Sequence, residues 1–283
     1  MQKGRIINSN GGLYQVLTTE GDVLSVKARG KLRLSKKQSA LKVGDWVLTD
    51  SDWIDTVLPR QNELVRPDIA NVDQILLVFA AKEPSFSFYL LDLFLVNVVF
   101  KKIDPLIVVT KTDLLTEQER TFFQQQLSYY ETLGYPVRYV DSLKKKGIDA
   151  VERLLENKVT VFTGQTGAGK STLINAIFPH FSLETQEISK ALGRGKHTTR
   201  QTTLYPYHTG LIGDTPGFSK LELQPTEKRQ LADCFVEFKN YTCRFKDCLH
   251  QTNAKGCGVR QAVSEGKILK SRYDHYLKML EEQ

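Results

Sequence analysis

Cysteine is scarce in this chain, with four among 283 residues. Three of them, Cys243, Cys248 and Cys257, gather around His250. That grouping argues against a disulfide framework and for a metal site. Long hydrophobic runs are also missing. The longest are Ile75–Ala81 and Leu93–Phe100, the second broken by Asn97, and neither approaches a membrane span. No apolar run follows Met1-Gln2-Lys3-Gly4-Arg5, so no export signal is expected. These absences set the expectation of a cytoplasmic protein with no membrane partner. No coiled-coil seam is visible, which leaves a monomer as the default. There is little excess of charge of one sign: 39 Lys and Arg stand against 32 Asp and Glu, for a net charge of +7. That permits a polyanionic partner without requiring one. What is present, 41% hydrophobic and 25% charged residues, is the make-up of a soluble globular protein with room for one to three domains.

The chain is organised around Gly164-Gln165-Thr166-Gly167-Ala168-Gly169-Lys170-Ser171, followed by Thr172. This is the phosphate-binding pattern, four free positions between a glycine and Gly-Lys-Ser. Val159–Thr163 reads as a buried strand running into it, and Leu173, Ile174, Ile177 and Phe178 have helical spacing after it. Glycines let backbone N–H groups close around phosphate oxygens. Lys170 supplies a point charge to the outer phosphates, and Ser171 is suited to ligate magnesium.

Ahead of this loop, buried strands alternate with helices. Asp73–Ala81, Pro105–Val109 and Pro136–Val140 read as strands, with helices expected around Leu90–Val99 and Glu117–Leu133. That alternation means a mostly parallel sheet covered on both faces, with ligands at the carboxyl ends of its strands. The second strand delivers Thr110-Lys111-Thr112-Asp113. Asp113 can accept two hydrogen bonds from guanine, a pair that adenine does not offer. Lys111 can lay its stem along the ring. The third strand ends at Asp141-Ser142. Beyond the phosphate loop, Gly193-Arg194-Gly195-Lys196-His197-Thr198-Thr199-Arg200 is glycine-rich, basic and without apolar period. It reads as a segment able to close on phosphates, with Thr198 or Thr199 reaching magnesium. Asp214-Thr215-Pro216-Gly217 follows an expected strand pair. Asp214 suits the magnesium shell, and the Gly217 N–H suits sensing of the γ-phosphate.

Residues 1–67 show short alternating runs separated by turns, as in a small oligonucleotide-binding (OB) type β-barrel. Between two of these runs, Lys27–Lys37 holds six basic residues and no acid. Such a run can neutralise phosphates or simply guard a strand edge. No regular aromatic platform accompanies it. Residues 222–283 are expected to be helical and zinc-binding. Cys243, Cys248, His250 and Cys257 make a closed tetrahedral set for one structural zinc ion. Cys234 lies outside the cluster and is expected to be buried. A last helix over about Val259–Leu280 would pack Leu269, Tyr273, Tyr276 and Leu280. Its other face would turn Lys267, Lys270, Arg272 and Lys278 to water or RNA.

The set resembles the translation-factor-related GTPases, but with the base motif and the Ser142 loop ahead of the phosphate loop. The central domain, residues 68–221, therefore resembles a circularly permuted P-loop GTPase. The barrel in front, the Gly-Arg-Gly-Lys-His-Thr-Thr segment and the metal cluster behind are similar to one family. This is the ribosome small-subunit-dependent GTPases, RsgA, also called YjeQ or YloQ. The resemblance covers residues 5–280. It implies a Mg-dependent GTP hydrolase acting late in small-subunit biogenesis, binding rRNA and leaving on hydrolysis. The alternative is an RNA-binding assembly chaperone whose nucleotide site is regulatory or dispensable. By the same resemblance, Gly164, Lys170, Ser171, Thr198 or Thr199, Asp214 and Gly217 serve phosphates and magnesium. Lys111, Asp113 and Ser142 serve guanine. Two departures stand out. Thr110 replaces the asparagine found in most related GTPases, and Phe218 replaces the glutamine that orients water in many. Phenylalanine cannot polarise water, so slow intrinsic hydrolysis is expected, with His197 the candidate to supply the polar contact. The last gap of the metal cluster, with Asn253-Ala254-Lys255, is one residue longer than is usual in that family.

Overall fold

The structure, a computed structural model, describes residues 1–30, 32, 40–50, 52–65, 67–179, 202–214 and 223–283, Asp214 through its backbone alone. The chain divides into two compact units. One comprises Met1–Ile75, Ile148–Thr163 and Ser171–Phe218; the other comprises Leu76–Gly147, Gly164–Lys170 and Ser219–Gln283.

The first unit begins with β1 (Gln2–Asn10), β2 (Leu13–Thr18), β3 (Val23–Ala28), β4 (Trp46–Asp50) and β5 (Trp53–Val57). They close into a barrel in the order β1-β2-β3-β5-β4, antiparallel except where β3 meets β5. This is the OB-like barrel expected from the short alternating runs. Strand alternation sends Ile6, Val16, Val26, Val47 and Ile54 inward, each at most 1% exposed. β1 carries a weak signal of its own and is not among the strands expected from sequence. It is held by pairing with both β2 and β4. Asp45 is fully buried, and Arg60 grips both of its carboxylate oxygens at 2.6 and 2.8 Å. A buried carboxylate needs such a partner. The same unit holds the two-residue strands β6 (Glu63–Leu64) and β7 (Ile69–Ala70).

A second sheet has the order β10-β9-β8-β11-β13-β12. Its strands are β8 (Gln74–Ala80), β9 (Asp104–Thr110), β10 (Val137–Tyr139), β11 (Val159–Gly164), β12 (Thr203–Tyr207) and β13 (Gly210–Asp214). β10 runs parallel to β9 and β11 to β13, whereas β12 and β13 form an antiparallel hairpin. All seven residues of β8 are buried, which explains the unbroken apolar run Ile75–Ala80 that follows Gln74.

In the second unit, α1 (Phe88–Phe100) is capped by Ser87, whose Oγ accepts from Leu90 N at 3.2 Å. A reciprocal Thr116–Glu119 capping box starts α2 (Glu117–Thr132). The first unit contributes α3 (Ile148–Leu155), unforeseen in the sequence, with Ile148, Val151 and Leu155 buried. The phosphate-loop helix is α4 (Lys170–Ile177).

The tail packs α5 (Lys228–Cys234), α6 (Gly258–Ser264) and α7 (Lys270–Glu281) around Phe235, Phe238 and Tyr276. The single final helix expected from sequence is thus two. Gly266, at φ +70°, follows the end of α6 in a left-handed conformation that a β-carbon would strain. Tyr273, Tyr276 and Leu280 are buried as expected.

The expectation for Arg272 fails. It is 1% exposed and meets Asp92 on α1 and Glu237. Its guanidinium lies 5.3 Å from the ring centre of Tyr130, whose hydroxyl donates to Asp92 at 3.0 Å. Opposite charge outcompetes water here because two carboxylates share one guanidinium. His275 Nδ1 also sits 2.6 Å from Asp92. Cys234 is 3% exposed, and burial pushes its thiol up to about 12, as befits an inert core residue. No described helix is long and apolar enough to cross a membrane.

Candidate functional site

The loop after β11 is shaped by close approach. A β-carbon on Gly164 would lie 2.0 Å from the Val78 carbonyl oxygen, so only glycine fits there. Gln165 N then donates to that same carbonyl at 3.0 Å, and its Nε2 donates to Ser85 O at 2.8 Å. Gly167 and Gly169 hold φ of +78° and +81°, the left-handed backbone of an anion-binding nest, and between them Ala168 N donates to Gln165 O at 3.2 Å. Lys170 opens α4, and Ser171 and Thr172 are exposed in its first turn.

The tetrapeptide after β9 lies in the same unit as this loop. Thr110 is 2% exposed, with Oγ1 within hydrogen-bond reach of both Phe79 O and Ala168 O. A hydroxyl has one proton to give, and Ala168 O is the nearer acceptor. Threonine in the first position therefore ties the strand end to the phosphate loop. Lys111 adopts a left-handed φ of +54°, and its ammonium donates to Glu83 O. Thr112 Oγ1 is 3.5 Å from Val140 O. Asp113 is exposed in the turn Thr112–Leu114, and its carboxylate has no hydrogen bond or ion pair among the described residues.

After β10, Asp141 and Lys146 exchange backbone hydrogen bonds at 3.1 and 3.0 Å, and Asp141 Oδ1 accepts from Lys144 N at 3.0 Å. Ser142 Oγ is buried without a partner among the described residues. Such an orphan is what a missing ligand atom would leave. The 82–85 turn escapes the sequence reading of this set. Its carbonyls at Glu83 and Ser85 brace Lys111 and Gln165. The available signal is its place at the carboxyl end of β8.

Asp214 ends β13 opposite Thr203. His197, Thr198, Thr199, Gly217 and Phe218 lie outside the described residues, as do Lys190, Arg194, Lys196 and Arg200. So does most of the 27–37 basic run. Of its described members, Arg29 is engaged by Asp50 at 3.3 Å and Asp55 at 3.2 Å.

Cys243, Cys248, His250 and Cys257 bring their ligand atoms within 4.8 Å of one another. His250 Nδ1 is 3.4 Å from the sulfurs of both Cys243 and Cys257, which are 3.7 Å apart. Tetrahedral zinc, with bonds of about 2.0–2.3 Å, places its ligands roughly 3.5–3.8 Å apart, so this donor set fits. Burial lowers the His250 pKa, which favours the neutral imidazole a metal needs. The backbone around it is anchored by Tyr273 OH to His250 O and Tyr276 OH to Leu249 O, both 2.6 Å. Cys257 also caps α6, its sulfur 3.5 Å from Arg260 N. His275 is engaged with Asp92 and takes no part.

Structural zinc in small domains contributes on the order of 10 kcal/mol to folding. Stripping zinc from this chain should therefore expose residues 222–283 to protease while the barrel stays resistant. An unchanged cleavage pattern after verified zinc loss would contradict a structural role.

The sequence matches two family models, that of the RsgA N-terminal domain over residues 3–53 and that of the RsgA GTPase over residues 57–224. Among curated relatives, the small ribosomal subunit biogenesis GTPase RsgA of Onion yellows phytoplasma is 43% identical over 301 residues. That alignment covers 100% of this chain and 98% of the relative. The protein of the same name from Halalkalibacterium halodurans is 42% identical over 289 residues, covering 100% and 97%. Among solved structures, YjeQ from Thermotoga maritima superimposes with a TM-score of 0.86 at 34% identity, over 99% of this chain and 98% of that one. YloQ, described as a circularly permuted GTPase, gives 0.84 at 36% identity, over 100% and 94%.

Proposed function

This chain belongs to the RsgA family of GTPases, and from that membership and the geometry above we propose how it works. It is a GTP hydrolase of small-subunit ribosome biogenesis. The observation that carries the reading is the Thr110 hydroxyl at Ala168 O, which makes base-reading and phosphate-holding loops one piece. The barrel is taken as residues 1–67, the permuted GTPase domain as 68–221 and the zinc-binding tail as 222–283.

In this reading Asp113 accepts from guanine N1–H and its exocyclic amine. The Lys111 stem, its ammonium fixed by Glu83 O, lies along the base. Ser142 Oγ finds its partner in the guanine ring's polar edge. Backbone N–H groups of Gly164–Thr172 and the Lys170 ammonium hold the phosphates. Ser171 and Asp214, with Thr198 or Thr199, would hold magnesium, which when bound neutralises phosphate charge. Gly217 senses the γ-phosphate, and His197 positions water where Phe218 offers nothing polar.

The partner is the small ribosomal subunit and its rRNA, met as a cytoplasmic monomer. GTP favours docking, and hydrolysis releases the protein, provided GTP and GDP bind the docked form with different free energies. GTP turnover should rise by roughly 10²-fold with isolated small subunits, the scale of supplying one missing polar contact. Large subunits at the same salt should leave turnover at its basal rate. Equal turnover in all three conditions would remove the partner from this account. Assembly activity surviving Lys170→Ala would favour an RNA chaperone with a dispensable nucleotide site.

A further inference from the structure

A cleft of about 300 Å³ lies within the first unit, away from every motif above. One wall is the outer face of the barrel, where Arg5 on β1 pairs with Trp46 on β4. The other is built by Asp73, by Lys158 just before β11, and by His208 and Thr209 in the β12–β13 turn. Arg5 is the unusual member. Its guanidinium stacks over the Trp46 ring at 4.4 Å, with Lys3 at 4.8 Å from the same ring. Its Nε is buried without a hydrogen-bond partner among the described residues. Burial lowers its pKa, with only the charge of Asp73 acting in the other direction.

Among the remaining polar groups donors are in surplus, with Asp73 Oδ1 the one carboxylate oxygen left open. Asp73 Oδ2 is committed to Val159 N at 2.7 Å. Lys158 Nζ uses Gln74 Oε1 at 3.2 Å and keeps further protons to give. Thr209 Oγ1 accepts from Asn157 N at 3.1 Å, which leaves its own proton unspent. A half-buried guanidinium fixed on an aromatic face, facing surplus donors, presents its fork to an oxyanion. The volume exceeds that of a bare phosphate several-fold, leaving room for an attached sugar or base.

We propose that this cleft binds a phosphate group carried by a nucleotide, with Arg5 as its principal donor. The nucleotide is either free or part of a polynucleotide strand, and the test separates the two.

Trp46 is the natural reporter, because the chain has two tryptophans and Trp53→Phe leaves it alone. The full-length Trp53→Phe protein is titrated with adenosine monophosphate and with a short single-stranded RNA. The adenine ring offers no pair for Asp113. A saturable change in Trp46 emission with the monophosphate identifies a free nucleotide. A response to RNA alone identifies a strand phosphate. Either response should weaken about tenfold or more in Arg5→Gln, and less in Arg5→Lys, which keeps the charge but loses the fork. GTP turnover without subunits should stay at its basal value in both variants, which also reports that they fold. No saturable response to either probe up to about 10 mM would overturn the proposal. So would a response of equal affinity in Arg5→Gln.

Discussion

Asp113→Asn is expected to move the protein's preference from guanine to xanthine nucleotides. The carboxylate is exposed at the end of β9 and uncommitted among the described residues, so nothing there competes for it. Guanine presents two donors side by side, and a carboxylate accepts both. An amide accepts from only one and sets its own N–H against the exocyclic amine. Each hydrogen bond to a charged group contributes about 1.5–3 kcal/mol, so losing one, making the other neutral and leaving two donors facing each other costs roughly 3–6 kcal/mol. That corresponds to a loss of about 10²–10⁴ in GTP affinity. Xanthine replaces the amine with a carbonyl, which the Asn N–H can meet. Competition binding with GTP, XTP and ATP measures the effect. A variant that keeps its GTP-to-XTP ratio would show that guanine is read elsewhere.

The second large effect is on stability. Arg272→Ala leaves Asp92 and Glu237 buried at 0% and 3% exposure with no cation between them. Breaking a buried pair from one side costs about 3–5 kcal/mol. Much of the marginal stability of a folded unit lies in that range. His275, beside Asp92, is the nearest group able to compensate, and it is a single partial substitute. Replacing all three charges, as Arg272→Met with Asp92→Asn and Glu237→Gln, should cost much less, because no uncompensated charge is left. Urea unfolding of both variants distinguishes the cases. Equal losses would mean that packing, and not charge, dominates the site.

Those two sites differ in how visible they are in the amino-acid string. The phosphate loop, Thr110–Asp113 and the Cys243–Cys257 cluster are local patterns, since their chemistry depends on residues a few positions apart. Buried strands such as β8 are equally plain, because a run of apolar residues that short has few alternatives. Arg272 is not legible. In sequence it is one more basic residue on an amphipathic helix, and only Asp92 and Glu237 turn it inward. The bond from the Thr110 hydroxyl depends on Ala168, a contact that only the folded loop creates. Gly266 marks the break before α7, but the apolar spacing on either side of it happens to continue in phase. β1 needs both of its neighbours before it can be named a strand.

The Asp92–Arg272 pair also has a consequence for synthesis. The two residues are 180 positions apart. A nascent chain therefore makes α1 long before the cation that neutralises it exists. Until then a carboxylate stands on a face otherwise built for burial, and burying it alone is costly. Burial of Asp92 in the second unit awaits residue 272, whereas the barrel's own buried carboxylate, Asp45, has its cation as soon as Arg60 follows β5. Closing so long a loop is slow compared with forming local contacts. Translation thus delivers a finished barrel first, and the remaining unit locks late, when its arginine arrives.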